Sequence, residues 1–203
     1  MIPPDNQSLA TTTLSALFQA AASTEPTPGG GCVSAACGYL AIALLLKSIR
    51  ISARKQHTDT AYAAVDQELI GLSAKLLGLA QGDSDSFGAY MQALGLPKDT
   101  RSQEAARKQA LNHAVVKATE AALDILDLGN DVLDLAHQVQ FRVSATIRVD
   151  EQGCVELISA MNTTAQGNAL ANLGKIEDRD ALRKRLSDAS AKHSVLLTAC
   201  HSS

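Results

Sequence analysis

Apolar and polar positions alternate at helical spacing along almost the whole chain. Ala, Leu and Phe recur from Ser8 to Ala22 and predict a first helix. Glu25-Pro26-Thr27-Pro28-Gly29-Gly30-Gly31 then breaks the pattern. From Cys32 to Leu46 nearly every residue is apolar, which predicts a long helix from Cys32, or just before it, to about Lys55. A further helix is expected from His57 to about Leu79. Gly82-Asp83-Ser84-Asp85 reads as a turn that supplies an N-cap, with helix resuming over Ser86 to Leu94. Leu96 to Thr100 reads as a short loop. Helices follow over Ser102 to Leu126 and Asn130 to about Ala145, and Asp150 sits where a capping residue would sit. Cys154, Ile158, Met161, Ala165, Asn168 and Asn172 recur at alternating spacings of four and three and so share one helical face. A last helix covers roughly Asp180 to Ala199. Phe141 to Val149 is the most β-like stretch but is short, and no strand is predicted. The expectation is an all-α bundle of six to eight helices, forming one domain over residues 1–203.

Composition sharpens this picture. Hydrophobic residues make up 46% of the chain and aromatics only 3%, with no Trp, so the core must be filled by Ala, Leu, Val and Ile. Such side chains suit closely packed helices. A net charge of -3 gives no electrostatic case for nucleic acid or an anionic membrane as a partner. The Cys32 to Leu46 run is shorter than the roughly 20 residues that cross a bilayer, and Lys47 and Arg50 end it, so it reads as a buried central helix. Met1 to Asn6 carries Pro and Asp rather than the basic start of an export signal. Cys32, Cys37, Cys154 and Cys200 form no C-x-x-C pair, as expected of thiols in a reducing, cytoplasmic setting.

Several residues have the chemistry of a site. Three glycines before a helix can present bare N–H groups to an anion or oxyanion, and can equally form a tight packed turn. Asp83 or Asp85 suits a general base or a partner for a cation, and each also suits a helix cap. Asp150 has the same two readings. Lys98, in Leu96-Pro97-Lys98, puts an ammonium at a loop edge, where solvation is its ordinary state. Arg50 and Arg54 share a face near the end of the apolar helix, with Lys47 and Lys55 nearby. Asn168 and Asn172 place two amides on an apolar stripe, so each must find a backbone partner or face a pocket. The five histidines form no recognisable ligand pair, and no H-E-x-x-H, Walker A motif or dinucleotide fingerprint is present, so no metal is expected.

The order of these motifs resembles the cyclodeaminase/cyclohydrolase family. That family holds the cyclodeaminase domain of formiminotransferase-cyclodeaminase and stand-alone methenyltetrahydrofolate cyclohydrolases. The resemblance rests on Pro28-Gly29-Gly30-Gly31, Asp83 with Phe87-Gly88-Ala89-Tyr90, Leu96-Pro97-Lys98, Arg107, Asp150, Asn168 and Asn172, and runs from about Ser15 to Ala199. It implies an all-α homodimer, joined through helices, with sites near the subunit interface. It also implies a tetrahydrofolate derivative as substrate and no tightly bound cofactor. By carry-over, Asp150, Asp83 and Lys98 are the catalytic candidates. Gly29, Gly30, Gly31, Cys32, Arg54, Asn168 and Asn172 are the substrate-binding candidates. The chain departs from the family pattern at Cys32 and Val149, each where a serine is usual. It departs again at Val143-Ser144 for a Gly-Asn pair, Ala122 for a proline and Thr164 for a glycine. Those departures motivate two alternatives: a relative acting on a non-folate amidine-like or formyl substrate, and a folate-type binding protein without turnover.

Overall fold

The computed structural model describes residues 9–56 and 60–202. Among them are six α-helices: α1 (Leu14–Ala21), α2 (Gly30–Gln56), α3 (Thr60–Leu94), α4 (Arg101–Val139), α5 (Arg148–Leu173) and α6 (Asp180–His201). No strand occurs among the described residues. The expected helix starts at Ser8 and His57 lie outside them.

The apolar run became the hub of the bundle. α2 packs on α3 and α5 and also touches α4. Ala35, Ala41, Ile42, Leu45 and Ile49 are buried in those contacts. Its two buried serines return their hydroxyls to the chain, Ser48 Oγ to the Leu44 carbonyl at 2.9 Å and Ser52 Oγ to the Ser48 carbonyl at 2.8 Å. Their polar atoms therefore cost the core little. The helix extends beyond the Cys32 to Leu46 run, and over Gly30–Lys55 it is long and apolar enough to cross a membrane. Its inward side is taken up by α3 and α5.

Two expected breaks are absent, for one physical reason. Gly82 to Asp85 stays helical inside α3, and Asp127 to Asn130 stays helical inside α4. Aspartates in and beside these stretches found partners on other helices. Asp83 accepts from the backbone N–H of Cys32 on α2. Asp124 and Asp127 both pair with Arg185 of α6 at 2.6 Å. Buried leucines hold the long helices straight through: Leu69, Leu72 and Leu76 on α3, and Leu123, Leu126 and Leu133 on α4. Each fully buried leucine contributes roughly 1.5–3 kcal/mol.

The loop between α3 and α4 falls where expected. Thr100 caps α4 by accepting from the Gln103 N–H at 3.2 Å, and the Gln103 side chain closes the capping box. α5 differs from expectation at its start. Ile147 occupies the N-cap position and Asp150 lies inside the first turn. There its charge suits the helix N-terminus, and it pairs with Lys47 of α2 at 2.5 Å.

A buried polar cluster links α4, α5 and α6. Asn162 Nδ2 donates to Asn130 Oδ1 and meets His193 Nδ1, both at 3.1 Å. Asn130 Nδ2 donates to the Ala189 carbonyl at 2.9 Å. Gly129 makes room for the group: a methyl there would collide with Asn162 Oδ1.

Candidate functional site

The glycine turn leads directly into α2, whose first helical hydrogen bond runs from the Val33 N–H to the Gly29 carbonyl at 3.1 Å. The N–H groups of that first turn have no partners within their own helix. Asp83, arriving from α3, satisfies the one on Cys32. Its carboxylate lies so close to Gly31 that an added methyl would stand 2.5–2.6 Å from its three carboxyl atoms. Any side chain at that position would displace the Asp83 carboxylate. Burial raises the pKa of Asp83 above the usual carboxylate value, and the Cys32 N–H partly offsets the rise. This brings a carboxylate closer to the range in which a proton carrier works near neutral pH.

These residues form one side of a pocket of about 280 Å³. Gly29, Gly30, Gly31, Asp83 and Ser84 line it together with Pro26 and Thr27. The other side is built by α5, which presents Asn168 and Asn172 one turn apart, and by Lys175 in the turn that follows it. Both asparagines are half-buried, and among the described residues neither side-chain amide has a protein hydrogen-bond partner. Phe87 and Tyr90 complete the wall, their rings tilted at 46° with centroids 6.4 Å apart. Of the described residues lining the pocket, Asp83 is the one acid and Lys175 the one cation. Gly30 faces Thr164, whose Cγ2 would lie 3.7 Å from a methyl on that glycine.

The structure therefore brings together Gly29, Gly30, Gly31, Asp83, Asn168 and Asn172. It does not bring the other candidates to this pocket within one chain. Cys32 is buried at 4% exposure beneath the turn; its sulphur hydrogen-bonds Ser84, and burial raises its pKa, so it packs rather than lining the cavity. Asp150 pairs with Lys47, which lies 17 residues along α2 from Gly30, or about 25 Å of helix. Arg54 is exposed still further along the same helix. Lys98 is exposed in the α3–α4 loop and lines none of the hollows near α2. Asp85 is exposed and accepts from Gln81 Nε2 at 3.0 Å. Arg107 ties down the end of α3, donating to the Leu94 carbonyl through Nε at 3.3 Å and Nη2 at 3.1 Å.

Ser84, Tyr90 and Lys175 were not expected as site residues. Tyr90 had a signal, because it stands seven residues after Asp83 and so shares its helical face. Likewise Lys175 follows Asn168 by seven and Asn172 by three.

Residues 13–191 match the family model described as formiminotransferase-cyclodeaminase. A methenyltetrahydrofolate cyclohydrolase from Methylorubrum extorquens is 30% identical over 179 residues, covering 87% of this chain and 86% of that protein. The formimidoyltransferase-cyclodeaminase of Sus scrofa is 26% identical over 187 residues, of which this chain spans 35% of the relative's length. The crystal structure of formiminotetrahydrofolate cyclodeaminase from Thermotoga maritima matches with a TM-score of 0.83 over 94% of both chains, at 20% identity, a likeness of fold alone. With a family match spanning most of its length, the pocket included, the chain belongs to the formiminotransferase-cyclodeaminase family.

Proposed function

We propose that this protein hydrolyses 5,10-methenyltetrahydrofolate, with the cyclodeaminase reaction on 5-formiminotetrahydrofolate as the second reading. The Methylorubrum relative, matched over most of both chains, supports the first. The Sus scrofa relative supports the second. Both reactions centre on an amidine-like carbon between two nitrogens and need a proton carrier beside it.

One observation carries the proposal: a half-buried carboxylate, Asp83, held at the N-terminus of α2 and facing two unpartnered amides across a small cavity. The methenyl carbon is part of a delocalised cation. Water oxygen bonds to it while one water proton passes to Asp83. The C–N bond to N5 then breaks, its electron pair returns to N5, and the hydroxyl proton ends there. The proton held by Asp83 leaves to solvent. Oxygen charge that develops as the formyl group forms is stabilised by the N–H groups at the start of α2. Asn168 and Asn172 hydrogen-bond the pterin edge.

The test follows the near-ultraviolet absorbance of methenyltetrahydrofolate with purified protein, and ammonia release from formiminotetrahydrofolate. Asp83→Asn keeps an oxygen for the Cys32 N–H but cannot carry the proton, so kcat should fall by at least about 100-fold. Wild-type rates no faster than buffer on both substrates would refute the proposal.

We further propose a cytoplasmic homodimer. Leu40 is 52% exposed and Leu157 38% exposed on neighbouring helices α2 and α5, and Cys37 and Ala43 are exposed alongside Leu40. Two copies meeting there in antiparallel fashion cover this apolar face. A two-fold axis between residues 40 and 43 sets the Arg54 end of one α2 beside the glycine turn of the other. Asp150, which sits towards the Arg54 end, acts in the reaction only where a second protomer delivers it; Lys98, at the glycine-turn end of its own chain, is not delivered by this axis.

A further inference from the structure

The pocket does not end at Lys175. A second hollow of about 380 Å³ shares Tyr90, Val115 and Lys175 with it and runs on between the start of α4 and the α5–α6 turn. We propose that this groove holds the glutamate carboxylates of the folate tail, and that Lys175 is the cation that reads them. The inference rests on the folate reading above and names the residue that sets specificity for the tail.

The charges in the groove point that way. Arg107, Lys108 and Lys175 line it against Glu104 and Glu177. Glu177 is engaged by Lys108 at 2.6 Å. Arg107 is held by the Leu94 carbonyl, a neutral acceptor that leaves its charge uncompensated. Lys175 stands 5.4 Å from the centroid of the Tyr90 ring and has no carboxylate partner among the described residues. A cation over an aromatic face, at the junction of two hollows, is well placed for a carboxylate that arrives attached to a ring.

Geometry along α5 supplies the direction. Lys175 follows Asn168 by seven residues and Asn172 by three. Five residues of helix, from Asn168 to Leu173, rise about 7.5 Å, and Lys175 sits in the turn just beyond. A pterin held by the two amides therefore directs its benzoyl ring past Tyr90 and its glutamate towards Lys175. Three of the cations on α2 are engaged away from this groove, and Arg54 is exposed at the far end of that helix. Arg50 pairs with Asp66 through Nε at 2.5 Å, Lys47 with Asp150 at 2.5 Å, and Lys55 meets Ser144 Oγ at 3.3 Å and Thr146 Oγ1 at 2.8 Å.

The experiment compares KM for 5,10-methenyltetrahydrofolate and for the same adduct lacking glutamate, methenyltetrahydropteroate. The wild type should prefer the glutamate form by about tenfold. Lys175→Glu should erase most of that ratio, and Lys108→Glu should reduce it less, because Lys108 already shares its charge with Glu177. Raising the salt should shrink the wild-type ratio. Equal KM values for the two substrates in the wild type, or an unchanged ratio in Lys175→Glu, overturns the inference and leaves the hydrolase reading standing. Absence of turnover with both substrates overturns the hydrolase reading itself, and this inference with it. Lys175 is exposed, so a folded variant is expected, and a circular dichroism melt checks it.

Discussion

Replacing Gly31 by alanine tests the closest approach in the site. The new methyl would lie 2.5 Å from Asp83 Oδ2 and 2.6 Å from both Oδ1 and the carboxyl carbon. Carbon atoms settle at about 3.5–4.0 Å from their neighbours, so the carboxylate must retreat by about 1 Å. Retreat weakens its bond from the Cys32 N–H, and a hydrogen bond to a charged group is worth about 1.5–3 kcal/mol. Alanine returns up to about 1 kcal/mol through its better helix propensity. The net loss should be about 1–2 kcal/mol, and the proposed proton-carrier role of Asp83 predicts that kcat/KM falls about 100-fold as the carboxylate moves off its position. A double-mutant cycle in urea isolates the cause. With Asp83→Ala already in place, Gly31→Ala meets no carboxylate and should be neutral or stabilising. The coupling energy between the two sites should therefore be about 2 kcal/mol. An equal cost for Gly31→Ala in both backgrounds would refute the steric argument.

Leu40→Glu places a charge on the exposed apolar face of α2, where the side chain is 52% exposed, so the fold should survive; the proposed dimer predicts that the wild type sediments at twice the monomer mass and the variant as a monomer. His193 is 6% exposed and burial lowers its pKa, so the unfolded chain takes up its proton first as pH falls. Stability should thus be unaffected by this group above its ordinary pKa of 6.5 and decline below it, and His193→Gln should flatten the decline in Tm between pH 7 and pH 5 seen by calorimetry. Arg185→Ala removes a cation shared by Asp124 and Asp127 and should cost about 1 kcal/mol in chemical denaturation, an effect that salt reduces because all three groups are partly exposed.

The helices were legible because their apolar spacing is regular, and the stripe from Cys154 to Asn172 emerged as one face with a buried half and a pocket half. The missing breaks show what periodicity cannot carry. An aspartate that caps its own helix and one that reaches across to another look the same in one dimension. Asp83, Asp124 and Asp127 all reached across. The cluster of Asn130, Asn162 and His193 was missed for a related reason, since one buried amide resembles a surface amide until its partners are known. Its spacing carried a hint: Asn162 falls between Ile158 and Ala165, and His193 follows Leu186 and Ala189, at core-facing intervals. Within the site, the glycine turn, Asp83 and the paired asparagines were readable from residue type and order. Asp150 and Arg54 lie far from this pocket along α2 within one chain, a separation that the order of motifs does not encode.

The bond between Asp83 and the Cys32 amide makes the chain its own gauge of readiness. Cys32 is buried where α2 meets α3, so exchange of that hydrogen with deuterated solvent needs the first turn of α2 to part from α3, an event that also moves Asp83. Under the role proposed for Asp83, the rate at which a single amide picks up deuterium counts how often the site is unprepared, with no substrate in the tube.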